Sequence, residues 1–88
     1  MNQRPDNLQA RRRQLLWRAT HRGIKEMDIL LGGFAKANIE RMQSPALDEL
    51  EAIIDIPDQQ LLIWIMGQSP VPAAHESPTL AALVAFRP

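Results

Sequence analysis

Ile24-Lys25-Glu26-Met27-Asp28-Ile29-Leu30-Leu31-Gly32-Gly33-Phe34 spaces its apolar residues Ile24, Met27, Leu31 and Phe34 three and four positions apart. That spacing lays one stripe along an α-helix, whereas a half-buried strand would alternate. The pattern predicts a helix that begins near Gly23 or Ile24. Gly32-Gly33 interrupts it, since a glycine inside a helix costs about 1 kcal/mol relative to alanine. The helix either ends at this doublet or bends there and continues through Ala35, Ile39 and Met42.

The flanking sequence repeats the same period. Upstream, Leu8, Arg12, Leu15, Leu16 and Ala19 share a face of a helix from about Asn7 to Thr20, capped by Asp6 or Asn7 and preceded by a flexible extension over 1–6. Arg12 lies within that seam and can lay its aliphatic stem along it. Downstream, Ser44-Pro45 and Ser77-Pro78 each pair a capping hydroxyl with a proline whose missing N–H does no harm in a first turn. They predict helices over 45–54 and from 78 to about 86. Between them, Asp55-Ile56-Pro57 breaks the chain, and a further helix runs from Pro57 or Asp58 to Met66, terminated by Gly67. Nothing reads as a strand. The expected fold is all-α, a compact antiparallel bundle of four to five short helices forming one domain over 1–88.

Composition narrows the function. The 88 residues are 45% hydrophobic and 23% charged, a globular balance. A chain this short buries roughly 60–65% of its unfolded surface, which leaves few residues to wrap a large cofactor. Cysteine is absent, so thiolate metal sites, thiol nucleophiles and disulfides are excluded. The longest apolar run, Leu61-Leu62-Ile63-Trp64-Ile65-Met66, is far short of a membrane span. The N-terminal arginines with their apolar seam look like an organellar presequence, yet the same residues form the opening helix of a domain with little length to spare.

Net charge is zero but divided. Residues 1–25 hold Arg4, Arg11, Arg12, Arg13, Arg18, Arg22 and Lys25 against Asp6, a balance of +6, and residues 26–88 carry −6. The basic fifth motivates a nucleic-acid-binding regulator as one alternative, although successive arginines point in different directions on a helix. Catalytic constellations are missing. Ser44 and Ser77 read as caps, His21 and His75 stand far apart without metal-ligand spacing, and Gly32-Gly33 lacks the lysine and preceding strand of a phosphate loop. The acidic stretch from Glu40 to Asp58 reads as a solvated helix face. Trp64 reads as core, whereas Trp17 is either core or an exposed anchor for another protein.

Arg22-Gly23-Ile24-Lys25-Glu26 is the sharpest local feature. In a continuous helix Arg22 and Glu26 share a face. As a helix-stabilising pair they are poorly ordered, because base precedes acid and Arg22 sits near a helix N-terminus. Recognition is a better use: Arg22 forks onto a carboxylate or backbone carbonyls, Glu26 accepts donors, and Gly23 permits close approach.

In its context, His21-Arg22-Gly23-Ile24-Lys25-Glu26-Met27-Asp28-Ile29-Leu30-Leu31-Gly32-Gly33-Phe34 resembles the signature of the succinate dehydrogenase assembly factor 2 family, the small flavinylation factors. Leu50-Glu51, Asp55-x-Pro57-Asp58 and Leu61-x-x-Trp64 resemble its later helices, so the likeness covers roughly residues 10 to 86. His21 departs from it, standing where the family often has another arginine. The resemblance implies a helical assembly factor, not an enzyme, that binds the succinate dehydrogenase flavoprotein subunit and promotes covalent attachment of FAD to it. Some relatives also serve the fumarate reductase flavoprotein. It places Arg22, Gly23, Glu26 and Asp28 at the partner interface, with no catalytic, metal or cofactor-binding residues and no stably bound cofactor, FAD being the group attached to the partner. The remaining expectations are a monomer in the bacterial cytoplasm, without nucleic-acid binding or membrane insertion. A flavin transferase in its own right is the other alternative. Replacing Arg22 or Glu26 is expected to leave the fold intact.

Overall fold

The computed structural model describes residues 4–88, with side chains from residue 7 onward. Five helices follow one another: α1 (Arg4–Thr20), α2 (Lys25–Asn38), α3 (Ser44–Ile54), α4 (Asp58–Ile65) and α5 (Pro78–Ala85). Short 3-10 turns lie at Ile39–Arg41 and Ala73–His75, and no strand occurs among the described residues. The all-α expectation holds, with five helices.

The apolar stripes converge on one core. Leu15 and Ala19 of α1 meet Met27, Leu31, Phe34 and Ala35 of α2, and Leu47, Leu50, Ile53 and Ile54 of α3 complete the central layer. Helix α1 packs on α2 and α3, while α5 closes the bundle against α3, α4 and α2. Leu61, Trp64, Leu80 and Leu83 extend the core there. Trp64 is therefore a core residue, whereas Trp17 is 61% exposed.

Gly32-Gly33 neither ends nor breaks α2. The helix runs on to Asn38 and tightens into the 3-10 turn that buries Ile39. The reason is tertiary. A Cβ on Gly32 would stand 3.1 Å from Thr20 Cγ2 and 3.3 Å from the Ala19 carbonyl oxygen, so the glycine lets α1 and α2 approach closely. The packing this permits outweighs weak helix propensity.

Helix ends differ from expectation in two places. α1 starts at Arg4, about a turn early, so Asn7 lies inside the helix; residues 1–3 of the expected extension lie outside the described residues. Ser44 is the first residue of α3 and makes no cap, since Gln43 occupies the N-cap position without a side-chain hydrogen bond. Ser77 does cap: its Oγ accepts the Leu80 N–H at 3.0 Å. Glu49 of α3 reinforces that end, accepting from the Thr79 hydroxyl at 2.7 Å and its N–H at 3.2 Å. Gly67, at φ +74°, turns the chain out of α4 while the Gln68 N–H closes onto the Ile63 carbonyl at 3.0 Å.

Candidate functional site

The last carbonyls of a helix lack intrahelical donors. At the end of α1 the Thr20 hydroxyl donates to the Leu16 carbonyl at 2.9 Å, and the His21 Nδ1–H donates to the Trp17 carbonyl at 2.7 Å. The His21 ring thereby stacks on Trp17, centroids 4.1 Å apart. The chain then leaves helical geometry for Arg22-Gly23-Ile24 before α2 begins.

This short loop is tied down on both sides. Asp28, in the first turn of α2, reaches back to accept the Arg22 N–H at 2.8 Å. The Arg22 side chain turns inward toward the junction of α3 and α4. Its Nε donates to Asp58 Oδ1 at 2.6 Å, its Nη1 to the Ile54 carbonyl at 2.5 Å and its Nη2 to the Ile56 carbonyl at 2.9 Å. Ile54 ends α3, so its carbonyl is one that the helix leaves free. Asp58 opens α4, where a carboxylate is favoured by the helix dipole. The other Asp58 oxygen accepts the Gly23 N–H at 3.1 Å.

The expectation that Arg22 and Glu26 emerge together on one helix face is therefore corrected. Arg22 precedes the helix, and its side chain is only 10% exposed. Its fork does take a carboxylate and backbone carbonyls, but those of its own chain. Glu26, by contrast, lies exposed in the first turn of α2, and among the described residues no hydrogen bond or ion pair engages its carboxylate. Gly23 is also exposed. A Cβ there would meet Asp58 Oδ2 at an ordinary 3.5 Å, so the interior does not demand a glycine at this position.

Among the described residues the basic N-terminal stretch forms no continuous free cationic stripe. Arg11 pairs with Asp48 at 2.6 Å and Glu51 at 2.9 Å, and Arg18 pairs with Asp55 at 2.6 Å, all across the α1–α3 contact. The hydrogen bond it donates to Asp48, then that to Glu51, make the Arg11 guanidinium hold its proton more tightly than a free arginine. Arg12 is buried and donates to the Met42 carbonyl at 2.7 Å, its Nε being left without a partner. Among the described residues, three cations of the basic segment, Arg11, Arg18 and Arg22, thus meet four acids of the later segment, Asp48, Glu51, Asp55 and Asp58.

An open depression of about 490 Å³ lies beside the loop, bounded by Trp17, His21, Gly23, Asp55, Pro57 and Asp58. These residues do not fit a resident flavin: the two cations that line the depression, Arg18 and Arg22, are already paired with Asp55 and Asp58, so a diphosphate there would meet those carboxylates without a free cation. His75 lies elsewhere, its ring 5.2 Å from that of Trp64, so the two histidines are not brought together. Among the described residues no group of three or more histidines, aspartates and glutamates could hold a metal ion.

Sequence reading missed Asp58, which binds both halves of the Arg22-Gly23 pair from 36 and 35 positions away. The sequence showed Asp58 only as a helix start after Pro57, as part of the Asp55-x-Pro57-Asp58 likeness and as one acid of a solvated face; the last reading is corrected, since its side chain is paired with Arg22 and only 19% exposed. The arrangement is a surface turn braced from within, which leaves the Gly23 backbone and the Glu26 carboxylate exposed. The family described as "Flavinator of succinate dehydrogenase" matches residues 13–87.

The chain belongs to this family. The "FAD assembly factor SdhE" of Acetobacter pasteurianus is 46% identical over 79 residues, covering 90% of this chain and 72% of the relative. The "Succinate dehydrogenase assembly factor 2, mitochondrial" of Dictyostelium discoideum is 30% identical over 91% of this chain and 57% of that protein. The protein of the same name from Mycosarcoma maydis is 33% identical over 80% of this chain and 30% of its own length. The chain thus spans most of the bacterial family member but little more than half, or less, of these mitochondrial ones. The family match begins inside α1 and takes in the braced turn together with all four later helices.

Proposed function

We propose that this chain is a non-catalytic assembly factor that binds the flavoprotein subunit of succinate dehydrogenase and promotes covalent attachment of FAD to it. Membership of the flavinator family carries this reading. The docking surface is the turn at the start of α2. Glu26 supplies the free carboxylate, Gly23 an open stretch of backbone, and Arg22 and Asp28 hold the turn in shape from behind. Attachment is completed inside the partner. The factor holds the flavoprotein so that flavin and acceptor side chain are aligned, and such positioning accelerates a reaction without any nucleophile from the factor.

The finer assignments follow the same line. The fumarate reductase flavoprotein is a second partner. The factor works as a monomer, its core being closed by its own five helices. It acts in the bacterial cytoplasm, which the likeness to the Acetobacter protein supports. No helix among the described residues is long and apolar enough to cross a membrane. The pairing of Arg11 and Arg18 with acids of α3 speaks against a nucleic-acid surface.

The test is reconstitution of covalent flavin, read by in-gel fluorescence, from the purified succinate dehydrogenase flavoprotein and FAD. Native chain raises the yield. Glu26→Ala lowers it while moving the melting temperature by no more than about 2–4 °C, because an exposed substitution shifts stability by no more than about 0.5 kcal/mol. A full yield with Glu26→Ala would refute the assigned surface.

A further inference from the structure

We propose that Asp58 is a positioning residue for docking, acting through the Arg22-Gly23 turn; the inference rests on the assembly-factor reading above. Its two carboxylate oxygens hold two different parts of the turn. Oδ1 accepts from Arg22 Nε at 2.6 Å, and Oδ2 accepts the Gly23 N–H at 3.1 Å. The remaining acceptors of Arg22, the Ile54 and Ile56 carbonyls, grip only the guanidinium. Among the described contacts, Asp58 alone holds the Gly23 backbone. It is 19% exposed at its side chain and is anchored as the first residue of α4. The shape of the exposed turn, and with it the approach to Glu26, therefore depends on a side chain 32 positions away that lies behind the surface.

Charge and hydrogen-bond count explain why a carboxylate stands here. Both neighbours are donors, and in the observed geometry each meets a separate oxygen of the carboxylate. In Asp58→Asn, one oxygen serves either Arg22 or Gly23, and the amide NH2 faces the other donor. The turn then samples several shapes, and the partner must select the competent one. Loss of preorganisation raises the concentration needed for binding and leaves the bound complex intact.

The experiment titrates full-length factor into purified succinate dehydrogenase flavoprotein with FAD, measuring half-saturating concentration and maximal covalent yield separately. The Gly23 amide is followed in parallel by two-dimensional NMR of the isolated factor. For Asp58→Asn, the Gly23 amide resonance moves upfield and exchanges faster, half-saturation rises roughly tenfold, and the maximal yield is retained. Ser77→Ala, which weakens the far end of the fold at α5, serves as a control for general destabilisation and leaves half-saturation unchanged. An unmoved Gly23 amide, or an unmoved half-saturation in Asp58→Asn, overturns the proposal. Equal rises in Asp58→Asn and Ser77→Ala overturn it as well. Failure of the native factor to raise the yield refutes the assembly-factor reading itself.

Discussion

Replacing Arg22 with alanine should cost this protein a large part of its stability. The substitution removes three side-chain hydrogen bonds, to Asp58, Ile54 and Ile56, and leaves the Asp58 carboxylate without its cation. Breaking a buried ion pair from one side costs about 3–5 kcal/mol, most of it the penalty of an unpaired charge away from water. The lower end applies here, because Asp58 keeps 19% of its side chain exposed and retains the Gly23 N–H. For 88 residues, a stability of roughly 0.05–0.15 kcal/mol per residue amounts to about 4–13 kcal/mol in all. A loss of about 3 kcal/mol lowers the melting midpoint of a domain this size by roughly 12–24 °C. Thermal unfolding followed by far-UV circular dichroism, with urea denaturation to give the free energy directly, measures it. The expectation from sequence that Arg22 is dispensable for the fold is thereby reversed, whereas the same expectation for Glu26 stands. A midpoint for Arg22→Ala within a few degrees of the native protein would refute the reasoning, since it would mean that the Arg22–Asp58 pair contributes little in solution.

The two adjacent glycines of α2 should respond in opposite directions. Gly33→Ala meets Phe86 at an ordinary 3.5 Å and gains helix propensity, stabilising the fold by up to about 1 kcal/mol, whereas Gly32→Val collides with Ala19 and Thr20 and destabilises it; urea midpoints of the two variants decide it. Gly67→Ala places a side chain at φ +74° with nothing within 4 Å, so its cost is conformational alone, about 1–2 kcal/mol by the same measurement. Ser77→Ala removes the cap on Leu80 and costs about 1 kcal/mol, with amide exchange quickening first in α5.

Much of the architecture was legible because helices are written locally. The stripe Ile24, Met27, Leu31 and Phe34 needs only a 3.6-residue period, and the proline and glycine breaks need only backbone sterics. Four of the five helices begin within two residues of their expected starts. The family likeness lay in the same linear order of residues. Where local rules compete with packing, they failed. Gly32 belongs in a turn by propensity and in a helix by contact with α1, while Ser44, unlike Ser77, begins its helix without capping it.

The residues of the candidate surface were visible as a string, but their orientations were not. Arg22 and Glu26 stand four apart, and helical spacing predicts a shared face; the chain leaves the helix between His21 and Ile24, and the two side chains part, one inward and one out. That parting depends on the partners of Arg22, namely Asp58 and the Ile54 and Ile56 carbonyls at the end of α3, all more than 30 positions distant. Periodicity records which residues can share one helix face, because that geometry repeats within a few residues. Which cation meets which carboxylate is decided only when distant segments are packed together and each buried donor must find an acceptor.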